Sequence, residues 1–132
     1  MSGAARCTVP GDGTTATGCA IVYGSVVDAQ TSRSIDGVTG SVRFPASCDC
    51  LSPVVSVDER GVFSVTVYRR AAAHDTVTAT VALFATDPKY PRHHTGGFFF
   101  DTARVFLRFA AIGQAPVPVQ ALLRIPLPAG AF

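Results

Sequence analysis

Apolar and polar side chains alternate along most of this chain. In TVTATVALF, Thr76 to Phe84, one side carries Val77, Ala79, Val81 and Leu83 and the other carries Thr76, Thr78 and Thr80. Successive side chains of a strand point to opposite faces, so this period of two predicts a strand with one buried face. VFSVTVY repeats the pattern, setting Phe63, Val65 and Val67 against Ser64, Thr66 and Tyr68. AIVYGSVV groups Val22, Gly24 and Val26; VTGSVRF groups Val38, Val42 and Phe44; VPVQALLRI groups Val117, Val119, Ala121, Leu123 and Ile125. Pro118 faces the other way in the last run. It cannot donate a ladder hydrogen bond, which predicts an edge strand. VVSV and VFSV, joined by Asp58-Glu59-Arg60-Gly61, read as a hairpin whose closing bulge uses a positive φ at Gly61.

One more strand is expected from Phe98 to Phe109, and its two faces differ. Phe99, Asp101, Ala103, Val105, Leu107 and Phe109 form a mostly aliphatic side that suits the core. Phe98, Phe100, Thr102, Arg104, Phe106 and Arg108 form the other, mixing phenylalanine with arginine. Those are residue types enriched at interface hot spots. About seven strands, parted by Gly, Pro, Asp and Ser turns, predict an all-β fold: a single antiparallel β-sandwich. No segment keeps a helical period, and RRAAAHD reads as a connection. The expected organisation is an N-terminal arm over residues 1–19 and a sandwich domain over 20–132.

The chain's 132 residues suit a single domain that buries its own core. Only 15% of them are charged, against about 25% in ordinary domains, while 48% are apolar. So apolar a composition predicts a surface with apolar patches or a covering partner. The net charge is +2, and among the basic residues only Arg69 and Arg70 are adjacent. Nucleic-acid binding needs a clustered basic face, so no nucleic-acid partner is expected. No apolar run reaches the roughly 20 residues that span a bilayer, so no transmembrane segment is expected. The first twenty residues are polar and glycine-rich, without the apolar core of a signal peptide.

Cys7, Cys19, Cys48 and Cys50 are the only cysteines. Disulfides, free thiols and a metal site are all open to them, and their expected places in loops or at strand edges favour stapling. Cys48 and Cys50 are parted by one residue, which strains an internal bridge, so pairing of Cys7 or Cys19 with one of them is expected. Bridged cysteines would favour a periplasmic or otherwise extracytoplasmic location; reduced ones would fit the cytoplasm.

Candidate chemistry is sparse. His93 and His94 lie between Pro91 and the Gly96-Gly97 pair, where both could turn to one ion. No acid or cysteine stands at a spacing that completes a metal set, so solvated loop histidines are expected. No serine sits in a Gly-x-Ser-x-Gly elbow, and GDG near the start is not followed by a helix that would hold phosphate. Neither catalytic residues nor a cofactor are expected.

Gly24, Val26 or Val27 and Asp28 end one strand; Ile35, Gly37 and Val38 begin the next; Asp58, Gly61 and Phe63 mark the later turn. Over roughly residues 20 to 68, this succession resembles the carboxypeptidase regulatory-like domains and their transthyretin-like relatives. The resemblance implies an immunoglobulin- or transthyretin-like Greek-key sandwich, and it marks turns and core positions rather than a reaction. Among enzymes of related fold, the transthyretin-type hydroxyisourate hydrolases end in Tyr-Arg-Gly-Ser, whereas this chain ends Ala129-Gly130-Ala131-Phe132. Intradiol dioxygenases bind iron through two tyrosines and two histidines. Tyr23, Tyr68, Tyr90, His93 and His94 supply the types without the His-x-His spacing.

The function expected is that of a non-catalytic structural or accessory subunit. Its partners would be other protein subunits of a larger assembly, with peripheral contact to a membrane complex as one setting. Phe98, Phe100, Arg104, Phe106, Arg108 and Phe132 are the candidate contact residues. A carbohydrate or cell-envelope binding module is the alternative, weakened by the absence of tryptophan. A small metal-dependent enzyme is the third.

Overall fold

A computed structural model describes residues 6–8, 16–35, 38–51, 53–70, 75–85 and 99–126. The strands are β1 (Gly18–Asp28), β2 (Val38–Arg43), β3 (Val54–Ser56), β4 (Val62–Arg69), β5 (Thr76–Ala85), β6 (Phe99–Arg108), β7 (Ala110–Ala111) and β8 (Val119–Ile125). The fold is all-β, with two sheets stacked as a sandwich. The described residues form eight strands rather than about seven, the extra one being the two-residue β7. β1 starts at Gly18 and so takes in the last two residues of the expected arm.

β1 organises the first sheet. β4 pairs along one side of it, from Gly18 opposite Arg69 to Ser25 opposite Val62. On its other side β7 holds Gly18 and Cys19, and β8 runs beside Val22 to Asp28. The second sheet has the order β3-β2-β5-β6. Every ladder is antiparallel except β1–β8, which is parallel and departs from the wholly antiparallel expectation. The chain itself supplies the reason. β7 lies antiparallel to β1, and a turn in which Gln114 N–H donates to the Ala111 carbonyl (2.9 Å) then reverses it. The returning strand lies on the same side of β1 and follows its direction.

The alternating apolar positions meet between the sheets. Val22, Val26, Val42, Val67, Val81, Leu83, Leu107 and Ile125 are all 0% exposed. Val117 is the exception to the predicted inner row. It precedes β8, is 76% exposed, and so does not share the face of Ala121, Leu123 and Ile125.

The Asp58–Gly61 turn forms as expected but joins different partners. β3 ladders with β2, and β4 with β1, so the turn carries the chain from one sheet to the other and is not a hairpin. Gly61 adopts φ +77°. Its carbonyl accepts the Val26 N–H at 2.9 Å, which draws the start of β4 toward β1. The Asp58 carboxylate accepts the backbone N–H groups of Val62 (3.0 Å) and Arg60 (2.8 Å). These bonds, Val62's first, hold the carboxyl below the usual aspartate range.

Among the described residues one cation is buried. Arg69 is 5% exposed. Its guanidinium lies 5.3 Å from the Phe109 ring centre, its Nε donates to Thr17 Oγ1 (3.2 Å), and Nη1 stands 3.5 Å from the Asp75 carboxylate. The margins of the sandwich close where β3 meets β4 and where β6 meets β8. At the second margin the Arg124 N–H donates to Asp101 Oδ2 at 2.8 Å. Asp101, expected toward the core, thus caps an edge donor of β8 and prevents it from recruiting a foreign strand.

Two outcomes follow. A Cβ on Gly24 would run into the Ala121 carbonyl and come within 3.0 Å of the Phe63 ring. Gly24→Ala therefore loses about 1–3 kcal/mol in urea unfolding, because β8 or Phe63 must move. The Asp58 pKa is lowered on folding, so its contribution is complete above the unfolded-state value and is lost as pH falls through the folded one. The difference in Tm between wild type and Asp58→Ala is then constant near neutrality and shrinks below about pH 4.

Candidate functional site

β6 is one edge strand of the second sheet and, among the described residues, pairs only with β5, along its whole length. Its alternation divides as the residue types suggest. Val105 and Leu107 enter the core, while Phe100, Thr102, Arg104, Phe106 and Arg108 face outward. Phe100 is 51% exposed and Phe106 60% exposed. Of the other expected contact residues, Phe98 and Phe132 lie outside the described residues. So do His93 and His94, and the side chain of Phe99.

The ladder brings in residues that β6 alone does not reveal. Phe100 stands opposite Phe84 of β5, their ring centres 5.7 Å apart, and Phe84 stands opposite Thr39 of β2. Arg104 stands opposite Thr80, which stands opposite Arg43. Arg43 and Arg104 are therefore two strand spacings apart, roughly 10 Å. Phe106 faces Thr78, and Arg108 faces Thr76. Outward parity marked each of these residues in its own strand. Only the register places Arg43 and Phe84 beside β6, so the sequence reading missed them as site residues.

The face carries one sign of charge. Arg43, Arg104 and Arg108 point outward, and no Asp or Glu occupies an outward position of β2, β3, β5 or β6. None of these three arginines forms an ion pair among the described residues. Beyond Arg108, a hollow of about 90 Å³ is lined by Arg108, Phe109, Ala110, Ala115, Pro116 and Val117. The outer face of the first sheet differs: Tyr23, Val62 and Leu122 are exposed there and Arg124 is its one charge among the described residues. Arginine-flanked phenylalanines are able to bury apolar surface and bind carboxylates together.

The cysteines pair differently from expectation. Cys7 and Cys19 are brought to disulfide distance (Cα–Cα 5.7 Å), as are Cys48 and Cys50 (5.3 Å). Cys7 is anchored beside β7: its N–H donates to the Gln114 carbonyl (2.7 Å) and its carbonyl accepts the Gly113 N–H (2.8 Å). Cys19 is the second residue of β1 and also lies beside β7. Cys50 bridges to Arg69 on the far side of β4, so a whole strand separates the two pairs. Asp49, between the second pair, holds the Arg70 guanidinium at 2.8 Å.

Comparison with protein-family models, with curated proteins and with solved structures finds no significant match for this chain.

The two cysteine pairs span very different separations, 12 residues and 2 residues. Loop-closure entropy scales with the logarithm of the separation, so losing the first costs about 3 kcal/mol and losing the second about 1. Denaturant unfolding of oxidised Cys7→Ser and Cys48→Ser proteins measures both.

Proposed function

We propose that this protein is a non-catalytic accessory subunit that docks onto another protein through the outer face of its second sheet. The observation that carries this reading is the exposure of Phe100 and Phe106 on a strand whose opposite side is core. Covering the exposed part of each ring is worth on the order of 1 kcal/mol, which the isolated chain forgoes. Arg104 and Arg108 flank Phe106 on the same face and give the contact polar specificity. The low charged content of the chain fits a life in an assembly, whose setting extends to the periphery of a membrane complex. Both cysteine pairs at disulfide distance support an oxidising, extracytoplasmic compartment. A sandwich of the carboxypeptidase regulatory-like kind is compatible with this role, since such a scaffold prescribes no reaction.

The test compares wild type with Phe100→Ser/Phe106→Ser, two changes at solvated positions that leave the core intact. The wild type is expected to bind an apolar dye and to retain from native extract a protein that the folded double variant loses. A wild-type monomer that binds no dye, with identical proteins captured by both forms, overturns the reading.

A further inference from the structure

Arg104, Phe106 and Arg108 are successive outward residues of one strand. Their side chains repeat at roughly 7 Å, twice the rise per residue of an extended chain. The row thus presents cation, ring, cation over roughly 13 Å. Thr78 and Thr76 of β5 lie beside Phe106 and Arg108, and they are small and uncharged. Nothing on the outward positions of the sheet neutralises the arginines, and Arg43 adds a third positive group across Thr80.

This charge arrangement discriminates among occupants. A second copy of the chain meeting the same face about a two-fold axis would set arginine against arginine, and like charges across an interface are strongly disfavoured. Single-stranded nucleic acid would use the rings for stacking, but it also needs a groove of cations along its phosphates. Here the cations form a short row broken by a phenylalanine, on a chain of net charge +2. A polypeptide matches the row better. In an extended segment, residues i, i+2 and i+4 share one face at the same repeat as β6 itself.

We infer that the face recognises an extended segment of a partner protein with the pattern acid-x-apolar-x-acid, its two carboxylates meeting Arg104 and Arg108 and its central apolar side chain covering Phe106. The pattern reads identically in both chain directions, so the segment docks parallel or antiparallel to β6. Phe100, packed on Phe84, extends the apolar surface at one end, and the hollow beside Arg108 does so at the other. The inference rests on the docking reading above and adds the chemistry of the partner.

The probe is a synthetic peptide, Thr-Glu-Thr-Leu-Thr-Glu-Thr, titrated into isotopically labelled protein and followed by NMR. Its comparators are the same peptide with both Glu replaced by Lys and a twelve-nucleotide oligo(dT). The acidic peptide is expected to shift the amide signals of the outward-facing residues of β5 and β6. Its binding is expected to weaken about tenfold in Arg104→Gln/Arg108→Gln and to fall with added salt. Equal binding of the acidic and basic peptides, no binding of the acidic peptide at millimolar concentration, or tighter binding of oligo(dT) to these residues overturns it. The two readings fail separately. If the protein captured from extract is lost with the phenylalanine variant but kept by the arginine variant, docking stands and the carboxylate pattern falls. If it is kept by both, docking itself falls.

Discussion

β1 carries the first sheet, and the rest of the architecture depends on how closely its neighbours approach it. On one side of the strand β4 pairs with it from Gly18 to Ser25. The other is divided between β7 at the start and β8 thereafter. β8 lies so close at Gly24 that no Cβ fits beneath the Ala121 carbonyl, and Phe63 of β4 presses on the same point from the opposite side. The bare backbone of one residue therefore lets three strands converge. From that convergence follow the position of Leu123 and Ile125 over the core and of Asp101 against the β8 edge. β6 is the strand that brings Asp101 to this edge, and it displays Phe106 and the arginines on its opposite side.

The two outer faces solve the shortage of charge differently. The first sheet shows hydroxyl and isolated apolar groups, with Arg124 at its margin. The second gathers Arg43, Arg104 and Arg108 around two exposed rings and leaves its acids elsewhere. Asp49 pairs with Arg70, Asp58 caps its own turn, and Asp101 caps β8. Asp49, Asp58 and Asp101 are thus committed to backbone or to another arginine. Its positive character is thus a product of the tertiary arrangement as much as of composition.

Much of the fold was legible because burial follows side-chain parity. The odd positions from Val77 to Leu83, and Phe63 and Val67 of β4, fell on the core face for the local reason that strands alternate. The exposed set on β6 was legible on the same ground. What failed needed long-range information. The Asp58–Gly61 turn was read as a hairpin because its residues specify a reversal, yet a reversal does not say which strand each arm will pair with. Val117 was assigned inward because parity was extended past the point where β8 begins. The cysteines were paired across the molecule because sequence spacing does not show that β4 stands between Cys19 and Cys50.

By itself the sequence determined the strand content, the inner and outer side of most strands, and the backbone freedom required at Gly61. Each is set by a residue and its near neighbours, through alternation and φ preference. Tertiary structure alone decided the parallel course of β8, the crossing of the chain between sheets at Gly61, the two cysteine pairings, and the entry of Arg43 and Phe84 into the β6 face. Those features are distances between segments far apart in the chain, and they exist only once backbone hydrogen bonds have chosen partners and register.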